Sequence, residues 1–116
     1  MTTIDLNQVA GDYDLYTVGS YDIMVLEFGL IVPADLTGTA AGTLTEISVQ
    51  STDGTPVELI STTQGAKANL EEDAHLLYTG AEVVATTKKI QITIDGQTTA
   101  EQICKVWLKY QEVFSV

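Results

Sequence analysis

The sequence predicts an all-β domain, a β-sandwich of about eight antiparallel strands in two packed sheets. Three observations predict it. No helical periodicity of useful length runs through the 116 residues, and "LEEDAHLL" at 70–77 offers at most a turn or two between Gly65 and Gly80. The remaining segments are short, rich in Val, Ile, Thr and Tyr, and bounded by Gly, Asp, Asn or Pro. Several of them alternate strictly, which gives a strand one apolar side and one wet side.

In chain order, the predicted strands are 13–18, 21–32, 43–50, 56–61, 75–79, 82–86, 88–95 and 102–114. Residues 1–12, a mix of Thr, Asp, Asn and Gln, read as a possible docking arm preceding the sandwich. Ile90, Ile92 and Ile94 point one way and Gln91 and Thr93 the other; Ile47 and Val49 oppose Ser48 and Gln50. Asp53-Gly54 and Asp95-Gly96 supply residues that tolerate positive φ in tight connections. Pro33 and "GTAAG" at 38–42 mark a loop between the second and third strands. No linker composition and no internal repeat divides the chain, so 1–116 reads as one domain, long enough to bury roughly two-thirds of its unfolded surface.

The strand 21–32 departs from the pattern. One parity carries Met24, Leu26, Phe28, Leu30 and Val32, and the other carries Ile23, Val25, Glu27, Gly29 and Ile31. A strand apolar on both sides is central and covered twice, or covered on one side by another chain. A sandwich of this length has no third layer to spare, so the second parity, with Ile23, Val25 and Ile31, is read as an interface with another chain and the chain as a homo-oligomer.

The last strand raises a related question. In "CKVWLKY" at 104–110, Cys104, Val106, Leu108 and Tyr110 take the core side, and Lys105, Trp107 and Lys109 take the water side. Leaving a tryptophan unburied forgoes on the order of 4–6 kcal/mol as an upper bound. Trp107 with Lys105 and Lys109 is therefore read as a contact surface. Two other accounts stay open: the lysine stems cover the ring within the monomer, or a bulge reverses the parity.

Composition narrows the function classes. Sixteen acidic residues against five cations, a net charge of −11, disfavour direct nucleic-acid binding, and the chain contains no arginine to read bases or clasp phosphate. The longest apolar stretch, "IMVLEFGLIV" at 23–32, is too short to span a bilayer and carries Glu27, and the N-terminal residues lack the pattern of a secretory signal, so a soluble protein made without a cleaved leader is expected. Cys104 is the single cysteine, read as a buried apolar group with no disulfide to form.

Catalytic and metal chemistry find little support. The one histidine, His75, stands near Glu71, Glu72 and Asp73, with no nucleophile elbow in the chain, and reads as a surface residue beside solvated carboxylates. One histidine and one inward cysteine make no zinc tetrad, and the acidic pairs, such as Asp12 with Asp14, lack calcium-loop spacing. Glycines in phosphate-loop patterns are absent. The expectation is a non-enzymatic protein without metal or cofactor.

A family resemblance adds to this reading. The "ISVQSTDGTPVELIS" hairpin at 47–61, the "GAKANL" loop at 65–70, the "KIQITIDG" strand at 89–96 and the closing "VWLKYQEV" at 106–113 resemble small structural proteins of tailed bacteriophages that decorate or cement the capsid. The likeness covers the chain from Thr37 onward. It implies a jelly-roll-like sandwich, made in the host cytoplasm, that sits on the outer capsid surface of the virion as a dimer or trimer and bridges subunits of the major capsid protein. It transfers no individual functional residue. Two other expectations stand beside it: a carbohydrate-binding sandwich that stacks sugar on Trp107 and a tyrosine, and a tail or connector component.

Overall fold

The computed structural model describes residues 2–114. Eight strands form: β1 (Thr2–Asp5), β2 (Gly11–Thr17), β3 (Asp22–Ile31), β4 (Ile47–Ser51), β5 (Glu58–Ile60), β6 (His75–Val84), β7 (Lys89–Ile94) and β8 (Ile103–Val113). They make two four-stranded sheets, β1-β8-β3-β6 and β2-β7-β4-β5, with every ladder antiparallel. First pairs with last, second with seventh, third with sixth and fourth with fifth, as when one long hairpin is rolled up. This strand order is a jelly roll.

The core forms where the predicted alternation places it. Ile90, Ile92 and Ile94 of β7 are buried with Ile47 and Val49 of β4, and they meet Phe28, Leu30, Cys104 and Val106 of the other sheet. Burial pushes the Cys104 thiol up to about 12, with a smaller push from the Asp5 carboxylate.

Element boundaries differ from expectation in three places. Of residues 1–12, read as an arm, Thr2–Asp5 form β1 along β8, Gly11 and Asp12 open β2, and Met1 lies outside the described residues. The segments 75–79 and 82–86 are one strand, β6, which crosses Gly80 and Ala81 without leaving the sheet. Instead of a helical turn, 71–73 makes a connection with Asp73 at φ 61°.

The Asp-Gly pairs also behave differently. Among the described residues, positive φ occurs at Asp73, Thr87 and Gly42, and neither Gly54 nor Gly96 needs it. Gly96 is required for closeness, because a Cβ there would overlap the Thr43 carbonyl. Asp95 works through its side chain, accepting the backbone N–H of Thr45 at 2.8 Å and of Glu46 at 3.0 Å.

The double apolarity of β3 has an internal cause. Its register shifts between Val25 and Glu27: against β8, Val25 faces Tyr110 and Glu27 faces Lys109, so Leu26 is one extra residue. This β-bulge reverses the parity. Ile23 and Val25 point into the core before it, and Phe28, Leu30 and Val32 do so after it. Ile23 and Val25, expected at an interface with another chain, are therefore core residues, 1% and 0% exposed. With them goes the reason the sequence offered for a homo-oligomer.

Candidate functional interface

The two sheets turn very different faces outward. On the β2-β7-β4-β5 sheet, Asp12, Thr93 and Ser48 lie side by side, as do Asp14, Gln91 and Gln50. Their side chains bond to one another: Gln50 donates to Thr93 at 2.9 Å, Thr93 to Asp12 at 2.6 Å and Gln91 to Asp14 at 2.8 Å. Hydrogen bonds from Gln91 and from Lys89, whose ammonium is 2.9 Å away, hold the Asp14 carboxyl below its ordinary value. This face is polar and internally satisfied.

The outer face of the β1-β8-β3-β6 sheet is mainly apolar. Cross-strand pairs place Ile31 between Lys105 and His75, Gly29 between Trp107 and Leu77, and Met24 between Gln111 and Val83. Leu77, Val83 and Ile103 are 46%, 42% and 42% exposed, and the bulge residue Leu26 is 40% exposed. At the far end, the rings of Tyr21 and Phe114 meet edge to face with centroids 4.6 Å apart. Lys105 and Lys109, two of the chain's five cations, share this face with the carboxylates of Asp5, Asp22 and Glu27, so it is only weakly acidic in a strongly acidic molecule.

Trp107 lies on this face, as its parity predicted, and is half-buried there. Its indole rests on Gly29, where any Cβ would overlap the ring. The indole N–H donates to Glu27 at 2.7 Å, and the same Glu27 oxygen lies 3.8 Å from the Lys109 ammonium. The His75 ring meets the indole edge-on with centroids 6.2 Å apart. The cover for Trp107 is thus partly internal, with a glycine shelf and a carboxylate contributing to it.

Of the six residues singled out from sequence, Ile31, Lys105, Trp107 and Lys109 come together here, while Ile23 and Val25 lie behind the sheet. Leu26, Met24, Leu77, Val83 and Ile103 were missed. Their signal was present in the double apolarity of β3 and in the paired Leu76-Leu77 and Val83-Val84 of β6, but only the register shows that their apolar sides gather on one face.

The groups considered for catalysis do not assemble. Cys104 points into the core and His75 lies on the opposite side of the same sheet, two strands away. Among the described residues, no three His, Cys, Asp or Glu side chains gather as a metal cluster, and no helix is long and apolar enough to cross a membrane. No protein-family model matches the chain, and neither a curated protein nor a solved structure matches it.

Proposed function

We propose that this chain is a non-enzymatic structural protein of a virion, which decorates the outer capsid surface and stabilises it by bridging major capsid subunits. The observation that supports this reading is the contrast between the two outer faces of one sandwich. The polar face suits water. The weakly charged apolar face, with Trp107 at its centre, suits a protein surface.

Magnitudes fit a many-copy mechanism. Fully burying a Leu, Ile or Val contributes about 1.5–3 kcal/mol, so covering the exposed two-fifths of Leu26, Leu77, Val83 and Ile103 contributes about 1 kcal/mol each. Association costs about 4–15 kcal/mol. These four side chains at best break even by themselves, so binding draws on further contacts, and each copy bound across a seam then adds to the cost of opening it.

The test is sedimentation of the source's particles through a density gradient, with fractions probed for this protein. Wild type is expected to travel with capsids, and a variant carrying Leu77→Glu and Val83→Glu to be lost from them. Absence of wild type from particle fractions would overturn the virion reading. A second reading, a carbohydrate-binding module, draws on the indole held flat on Gly29. It predicts glycan binding by the free protein that disappears in Trp107→Ala.

A further inference from the structure

β1 covers only part of the strand beside it. It pairs with β8 from Asp5↔Ile103 to Thr2↔Val106, yet β8 runs on to Val113. The other edge of β8 is taken by β3 along its length, from Ile31↔Lys105 to Asp22↔Val113. Among the described residues, the edge of 107–113 that faces away from β3 therefore has no ladder partner. A row of free N–H and C=O groups continues in line with β1, a template for one more strand.

A slot of about 220 Å³ lies along that edge, lined by Leu15, Tyr16, Phe28, Ile90, Leu108 and Tyr110 among others. Phe28 and Ile90 belong to the core, so the slot opens into the space between the sheets. A cavity of about 150 Å³ takes a benzene ring. This one therefore has room for an aromatic or branched side chain pointing inward from an added strand. On the outward side of this stretch stands Lys109, whose side chain is 70% exposed and only loosely tied to Glu27.

We infer that the free edge of β8 takes up an extended segment of a protein partner as an added antiparallel strand, with apolar side chains at alternate positions and acidic ones between them. The inference deepens the docking reading above and rests on it for the partner's setting. Strand hydrogen bonds supply what the apolar face alone lacks. A second copy fits poorly as the occupant. Pairing two free β8 edges over 107–113 sets Tyr110 against Tyr110 and Glu112 against Leu108, which turns a carboxylate toward the apolar slot.

The experiment uses a synthetic seven-residue peptide with leucine at the second, fourth and sixth positions and glutamate or threonine between. It is titrated to about 1 mM, the weak limit of specific binding, while amide hydrogen exchange of the whole protein is followed residue by residue. Exchange at the edge-facing amides of 107–113 is expected to slow at least about tenfold, a population shift of one decade. N-methylation of the peptide amides that face β8 should abolish the effect, methylation of the alternate amides should preserve it, and Lys109→Glu should weaken it.

No slowing, or slowing indifferent to which amides are methylated, overturns strand addition. Protection of 107–113 that already rises with protein concentration makes the occupant a second copy and overturns the partner assignment. Co-sedimentation with particles but no peptide effect leaves docking in place without strand addition. A peptide effect without co-sedimentation removes the virion setting and keeps the edge.

Discussion

Gly29→Ala tests whether the tryptophan shelf holds as described. A methyl group at position 29 takes the space of the indole, so the ring must leave its seat. Burying a whole aromatic side chain removes about 150–250 Å² from water. Losing roughly half of that costs about 2–3 kcal/mol as an upper estimate. The bond from the indole N–H to Glu27 at 2.7 Å is lost as well. At a half-exposed site it is worth about 1 kcal/mol. Alanine in place of a strand glycine returns about 0.5–1 kcal/mol. The net loss is about 2–3.5 kcal/mol as an upper estimate, or a fall in Tm of roughly 10–18 °C for a domain of this size. Thermal unfolding by circular dichroism reads the stability, and emission from the single tryptophan reads the ring directly, with a red shift expected as it swings into water. The Glu27→Gln change, which replaces a charged acceptor by a neutral one, should cost more stability in the wild type than in the alanine background, where only the loose pairing with Lys109 is left to lose. Unchanged emission together with a Tm within about 1 °C of wild type would refute the shelf argument.

The bulge at Leu26 makes Val25→Lys and Met24→Lys opposites: the first buries an unpaired ammonium and should cost more than about 4 kcal/mol, while the second changes the outer face and should melt within a few degrees of wild type. Denaturant titration of both variants decides it. Cys104 should resist a thiol reagent until the protein unfolds. Its folded thiol, raised from 9.0 to about 12, keeps its proton where the unfolded thiol loses it, so stability is full below pH 9 and falls from pH 9 to 12. The Tyr16 phenol, raised from 10.0 to about 12 by its bond with Tyr110, by burial and by Glu112, acts in the same direction above pH 10. Denaturant melts of wild type and Cys104→Ala across that range should show a shallower decline in the variant. Asp95→Ala removes the acceptor for two backbone N–H groups and should cost about 1–2 kcal/mol, read from the same melts.

The sandwich itself was legible because its signals are local. The isoleucines of β7, Ile47 and Val49 of β4 and Cys104 and Val106 of β8 report their facing through strict alternation, and each is buried as that alternation requires; further along the same side of β8, Leu108 is half-buried and Tyr110 is 40% exposed, because the cover thins where β1 ends. What escaped was set by distant partners. β1 is four residues long with mixed Thr, Ile and Asp, and it is a strand because β8 offers it an edge. β6 runs unbroken through Gly80 and Ala81 because these two residues sit across from the β3 bulge, an arrangement that no property of 75–86 alone reveals.

Three oddities in the sequence turn out to be one feature. A glutamate in an apolar strand, a glycine two residues later and a tryptophan between lysines each break a local rule. Together they seat one indole: Gly29 gives it a floor, Glu27 accepts its N–H, and the register of β3 against β8 brings the three together. Sequence reasoning took Trp107 as the chief sign of an unseen partner, and part of that sign is used up within the monomer. The case for a partner therefore moves to side chains with no such seat. Leu26, Leu77, Val83 and Ile103 stay at least two-fifths exposed on one side of the sheet, while the other sheet's outer face carries a bonded polar ladder. A bulge that merely fitted β3 to its own core would not by itself collect apolar residues on the outside. Their grouping beside an unpaired stretch of β8 places the free edge and the apolar face within reach of a single bound chain.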